Sequence, residues 1–130
     1  MNNQYRGRRF KRYLRDVVRD PDNIFPVSLY SDKPDNEGLI LSYTFSKIGE
    51  IKDVVISFEC EKEVATFEFK QFHNSTQQSV MGELESGKSN LISTSTGPLI
   101  IRVVSGDKIE VRSDDKVRNI NVGFSYKTKR

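Results

Sequence analysis

The hydrophobic period changes once along this chain of 130 residues, and the change decides which folds are open to it. Up to Arg19 the apolar residues recur at helical spacing, whereas from Ile24 onward they alternate. Leu39, Leu41, Tyr43 and Phe45 alternate with Ile40, Ser42, Thr44 and Ser46, and Val54, Ile56, Phe58 and Cys60 alternate with Val55, Ser57, Glu59 and Glu61. Phe67 and Phe69 follow the same rule, as do Leu99, Ile101 and Val103, then Ile109 and Val111, then Ile120, Val122, Phe124 and Tyr126. Successive side chains of a strand point to opposite faces, so each run predicts a strand with one buried face. Six or more short strands predict a mainly β protein, an antiparallel β-sandwich of jelly-roll-like form.

The connections fit such a fold. Residues 31–38 form a polar loop, Ile48-Gly49-Glu50 predicts a tight turn, and Ser105-Gly106-Asp107-Lys108 joins two strands closely enough for a hairpin. Residues 73–98 carry no clear period and receive no assignment. Apolar residues make up 35% of the chain and charged residues 30%, so the eight Phe and five Tyr must supply much of the core. Trp is absent and Cys60 is the single cysteine, which excludes an intrachain disulfide and any zinc site built on several cysteines.

The N-terminal segment is of a different kind. Phe10, Tyr13, Leu14, Val17 and Val18 follow the i, i+3, i+4, i+7, i+8 pattern and predict a short amphipathic basic helix over 8–19, stopped by Pro21. Residues 1–19 hold seven bases against Asp16, a net charge of +6, whereas the other 111 residues carry 14 bases and 17 acids, net −3. The expected division is a basic arm over 1–23 and a β-sandwich domain over 24–130. Concentrated arginine at one terminus is a handle for something acidic. The expected partner-binding residues are Arg6, Arg8, Arg9, Phe10, Lys11, Arg12, Tyr13, Leu14, Arg15, Val17, Val18 and Arg19. Their expected dock is a protein subunit, with nucleic acid and an anionic membrane surface as the alternatives. No run of about 20 apolar residues predicts a membrane span, and arginines interrupt any signal-like stretch, so a soluble protein is expected.

Other chemistry-bearing residues receive plain structural readings. His73, the single histidine, lies beside Asn74, Ser75 and Thr76 and reads as a solvated turn residue. Cys60 reads as a small buried hydrophobe in phase with Phe58. Glu59, Glu61, Glu63 and Glu68 crowd two strands taken as neighbours and read as a solvent-facing edge that discourages sheet-to-sheet aggregation. Gly87-Lys88-Ser89 lacks the earlier glycine of a phosphate-binding loop. No catalytic residues, metal site or cofactor are expected, and the chain reads as a non-enzyme.

An arginine-rich arm before a small β-sandwich, with Lys127, Lys129 and Arg130 at the other end, resembles the auxiliary proteins of bacteriophage particles, notably head-decoration and head-fibre proteins. The runs from Ser105 to Val111 and from Val122 to Tyr126 also resemble the closing strands of C1q- and TNF-like jelly rolls, which implies a sandwich able to trimerise. Together these resemblances imply a non-enzymatic structural or assembly protein, a homo-oligomer or particle component located in a virion, with the cytoplasm as the alternative. Two further alternatives are a nucleic-acid-binding β-domain that uses the arm, and a carbohydrate- or receptor-binding sandwich that uses the loops 31–38 and 73–79.

Overall fold

The computed structural model describes residues 22–129, which form eleven strands and no helix. The helix expected over 8–19 lies outside those residues. The strands are β1 (Asp22–Ser31), β2 (Leu39–Thr44), β3 (Gly49–Glu59), β4 (Val64–His73), β5 (Thr76–Glu85), β6 (Asn90–Leu91), β7 (Ser93–Thr94), β8 (Gly97–Pro98), β9 (Ile101–Val103), β10 (Lys108–Arg112) and β11 (Arg118–Lys129). One antiparallel sheet has the order β1-β11-β3-β6, with β9 also on β3, and the other has the order β2-β10-β4-β5. A two-stranded β7-β8 hairpin stands apart from both.

The two sheets face each other across a core made by the alternation read in the sequence. Ile120, Val122, Phe124 and Tyr126 from β11 and Val54, Ile56 and Phe58 from β3 are buried against Phe67, Phe69, Ile109 and Val111 from the opposite sheet. Aromatic rings lock the sheets at both ends. Tyr43 and Phe45 meet Phe124 and Tyr126 with ring centroids 5.0 to 6.1 Å apart, and Phe58 meets Phe67 at 4.7 Å. These are the offset and edge-on separations that favour aromatic pairs.

Local chemistry explains several departures from a uniform ladder. Pro26 has no N–H to donate, and β1 accordingly lies at a sheet edge with Pro26 opposite Ser125. Between Ile51 and Val54 the buried phase of β3 slips by one residue, and Asp53 takes the extra position with a φ of 55°. The register of β11 shifts at the same level, between Gly123 and Ser125, as a β-bulge requires. At the start of β3, Gly49 is opposite Thr128, and a Cβ there would run into the Lys127 carbonyl and the Tyr126 ring.

Two sequence expectations are corrected. Ser105 to Lys108 is no hairpin turn: β9 pairs with β3 and β10 pairs with β2 and β4, so this segment carries the chain from one sheet to the other. Glu59 and Glu68 are not on neighbouring strands, because β3 and β4, though consecutive, belong to opposite sheets, and β4 is a central strand.

Gly49→Ala should destabilise the sandwich by about 1–3 kcal/mol, the usual cost of overpacking, and thermal unfolding measures it. Phe45→Ala, which empties the centre of the aromatic cluster, should cost about 3–5 kcal/mol.

Candidate functional site

The inner face of the β2-β10-β4-β5 sheet changes chemistry along its length. Along the β4-β5 pair, Ala65 opposite Leu84, Phe67 opposite Gly82 and Phe69 opposite Val80 are succeeded by Gln71 opposite Gln78 and His73 opposite Thr76. The last two pairs keep the same inward phase, so polar side chains stand where a sealed core would continue with apolar ones. Asp107, one residue before β10, extends the same polar end, since Lys108 is level with Phe72. The hairpin between β4 and β5 is made with two residues, and Asn74 takes the left-handed conformation, φ 53°, that such a tight turn favours.

Asp107 organises this end. Its residue is 3% exposed, and its carboxylate accepts the Val104 N–H at 3.0 Å while lying 2.8 Å from His73 Nδ1. Burial opposes its ionisation, but the Val104 N–H, His73 and the Gln71 amide outweigh burial and hold its pKa below the ordinary carboxylate range. Gln71 Nε2 donates to the Arg102 carbonyl at 2.9 Å. Arg102 is on β9, so the polar end of one sheet is tied to an outer strand of the other.

These groups floor an open groove of about 1000 Å³ between β5 and β9. Among the described residues both strands leave one edge unpaired. Ile48, Ile100 and Val104 line it while 57%, 56% and 37% exposed, values unusual for such side chains. Glu50, Arg102 and Lys127 also line it, so with Asp107 the groove holds two acids and two bases around a single histidine. A smaller hollow of about 180 Å³ continues along β5, lined by Met81 and Leu91, which are also exposed. Both hollows exist because the strand that should face β5 is broken into β6 and β9, with the β7-β8 hairpin between them.

His73 is corrected from a turn residue to a partner of a buried carboxylate, because the strand Val64–His73 runs to that position in unbroken phase. Cys60 is half-buried just past the end of β3, and its N–H is bound by the Ser86 hydroxyl. The expected partner-binding residues, Arg6 to Arg19, lie outside the described residues. Gln71, Gln78 and Asp107 were not foreseen, although the sequence carries a signal for the first: Gln71 and His73 continue the alternation of Phe67 and Phe69 with polar side chains. Among the described residues no group of three or more His, Cys, Asp or Glu is placed to share a metal ion. No helix there is long and apolar enough to cross a membrane.

No family model matches the chain, and no curated protein matches its sequence. Among solved structures it is similar to one described as "Xylan-Binding Domain from CBM 22, formally x6b domain", with 12% identity and a TM-score of 0.41 over 85% of this chain and 88% of that one. A likeness of that size assigns no function to this chain.

Asp107→Ala should cost about 2 kcal/mol by stripping a charge-assisted acceptor from the Val104 N–H and His73. Because the folded state lowers the pKa of Asp107, its stabilisation is present above the unfolded carboxylate range and is lost as pH falls through and below that range. Asp107→Asn should therefore flatten the acid limb of a stability-against-pH curve.

Proposed function

We propose that this chain is a non-enzymatic binding module of a larger assembly, in which the basic arm attaches the protein and the sandwich displays the groove to a carbohydrate. The observation that carries this is the combination within one open groove of inward amides and hydroxyls with an exposed aliphatic ledge. Binding sites of this kind pair a largely apolar lining with a few placed polar groups. Sugars match it because they present hydroxyls around their rim and C–H groups on their faces. Gln78 and Thr76 come from the 73–79 segment, and Ile100 and Val104 supply the ledge in place of an aromatic ring.

The strand order supports a jelly roll. With β6 to β9 counted as one interrupted strand, the sheets run 1-8-3-6 and 2-7-4-5. A virion ornament or receptor-binding head is the assembly role that suits such a module.

A protein ligand is the second reading. It is favoured by the two unpaired strand edges across the groove and by the exposed Ile48, Ile100 and Val104, since such edges and patches recruit other chains.

Screening the full chain on a glycan array tests the first reading. Bound neutral glycans whose affinity falls roughly tenfold in Ile100→Asp, with the fold intact, would support it; a folded protein that binds no glycan would overturn it. Deleting residues 1–19 should leave glycan binding unchanged and abolish incorporation into the parent particle, measured as subunit occupancy.

A further inference from the structure

The His73 and Asp107 pair has a consequence for how a ligand is held. An ionised carboxylate only accepts hydrogen bonds, so at 2.8 Å the facing Nδ1 of His73 must carry the proton. In the neutral imidazole that proton leaves a lone pair on Nε2. The pair is stiff on one side and open on the other: the Asp107 side chain is 4% exposed, whereas that of His73 is 47% exposed in the groove. Among the described residues, no hydrogen bond is made to His73 Nε2. Among the described residues, the other charged residues that line the groove are Glu50 from β3, Arg102 from β9 and Lys127 from β11, and with Asp107 their formal charges balance, which favours a neutral ligand.

We infer that His73 Nε2 is the groove's principal ligand-accepting atom, taking a hydrogen bond from a hydroxyl of a neutral carbohydrate, with Asp107 as the positioning residue that fixes the tautomer. The inference rests on the carbohydrate reading of the groove and names the contact that reading leaves open. Gln71, tied to the Arg102 carbonyl and 3.5 Å from Asp107, braces the pair. Gln78, opposite Gln71 on β5 and lining the same groove, supplies a side-chain amide with which a second hydroxyl can bond. Protonation of His73 turns Nε2 from acceptor to donor, so the site discriminates by the direction of the hydrogen bond as well as by shape.

Two measurements on the full chain separate this contact from the broader reading. Long-range proton–nitrogen NMR of the free protein reports the His73 tautomer directly; the Nδ1–H form is expected in wild type and should be lost in Asp107→Asn, whereas a dominant Nε2–H form in wild type overturns the inference whether or not glycans bind. Titration with a panel of neutral oligosaccharides and their uronic-acid counterparts then reads the ligand. His73→Phe should lose about fivefold or more in affinity for the neutral set, while His73→Gln, whose amide oxygen can accept in place of Nε2, should keep most of it. Unchanged binding in His73→Phe overturns the contact alone. Preference for the acidic sugars overturns the neutral-ligand assignment, and capture of a polypeptide with no glycan bound overturns the carbohydrate reading together with it.

Discussion

A sandwich seals only where each sheet has a strand to set against the other, and here one sheet runs short. Opposite β5 the chain supplies β6 and β9 separated by a small hairpin instead of one continuous strand. Both hollows follow from that interruption, as does the exposure of β5, most of whose residues are accessible although its partner β4 holds three buried core residues. Elsewhere closure is tight, with Ile51, Val54, Ile109, Ile120 and Val122 fully buried. The aromatic locks at the two ends hold the sheets in place while the β5 side remains open, so the groove is a fixed part of the scaffold.

The same interruption puts polar chemistry to structural use. Where interdigitating apolar side chains give out, Gln71, His73 and Asp107 connect the sheets by hydrogen bonds. A buried carboxylate is costly unless its partners are complete, and Asp107 has a backbone N–H, a histidine and an amide. Glu110, on the outer face of the same sheet, shows a different solution. Its burial is offset by Lys108 at 3.1 Å and Arg112 at 2.9 Å, and Lys108 also lies over the Phe72 ring. The Glu110 pairs use long-chain cations on an outer surface, whereas Asp107 uses short, directional partners at a groove, and only the second arrangement leaves an imidazole nitrogen facing the ligand side.

Much of the fold was legible because burial in a strand has a period of two. The faces expected for Val54 to Phe58, Phe67 and Phe69, Ile109 and Val111, and Ile120 to Tyr126 are the faces the core uses. β1 was harder to read, since Pro26 and the exposed Ile24 blur its alternation and an edge strand needs only one good side. β5 carries so little apolar signal that residues 73–98 received no assignment, and the reason is physical: its inward residues face a hollow and gain nothing from being hydrophobic. His73 was misread because a histidine followed by Asn74 and Ser75 has the composition of a turn, whereas its in-phase position after Phe67, Phe69 and Gln71 was the more informative fact.

The sequence by itself determined most of the core-forming strands and the faces they bury, since these depend on local alternation and on the transfer of side chains from water. It also determined that the basic arm differs in charge and period from all that follows. Only the tertiary structure decided which strands pair, that Ser105 to Lys108 crosses between sheets, and that Asp107 comes within 2.8 Å of a histidine 34 positions away. Pairing between distant strands is set by how two whole sheets fit together. A groove created by a missing length of strand therefore shows in the sequence only as polar residues at inward positions, and it takes its shape once both sheets are in place.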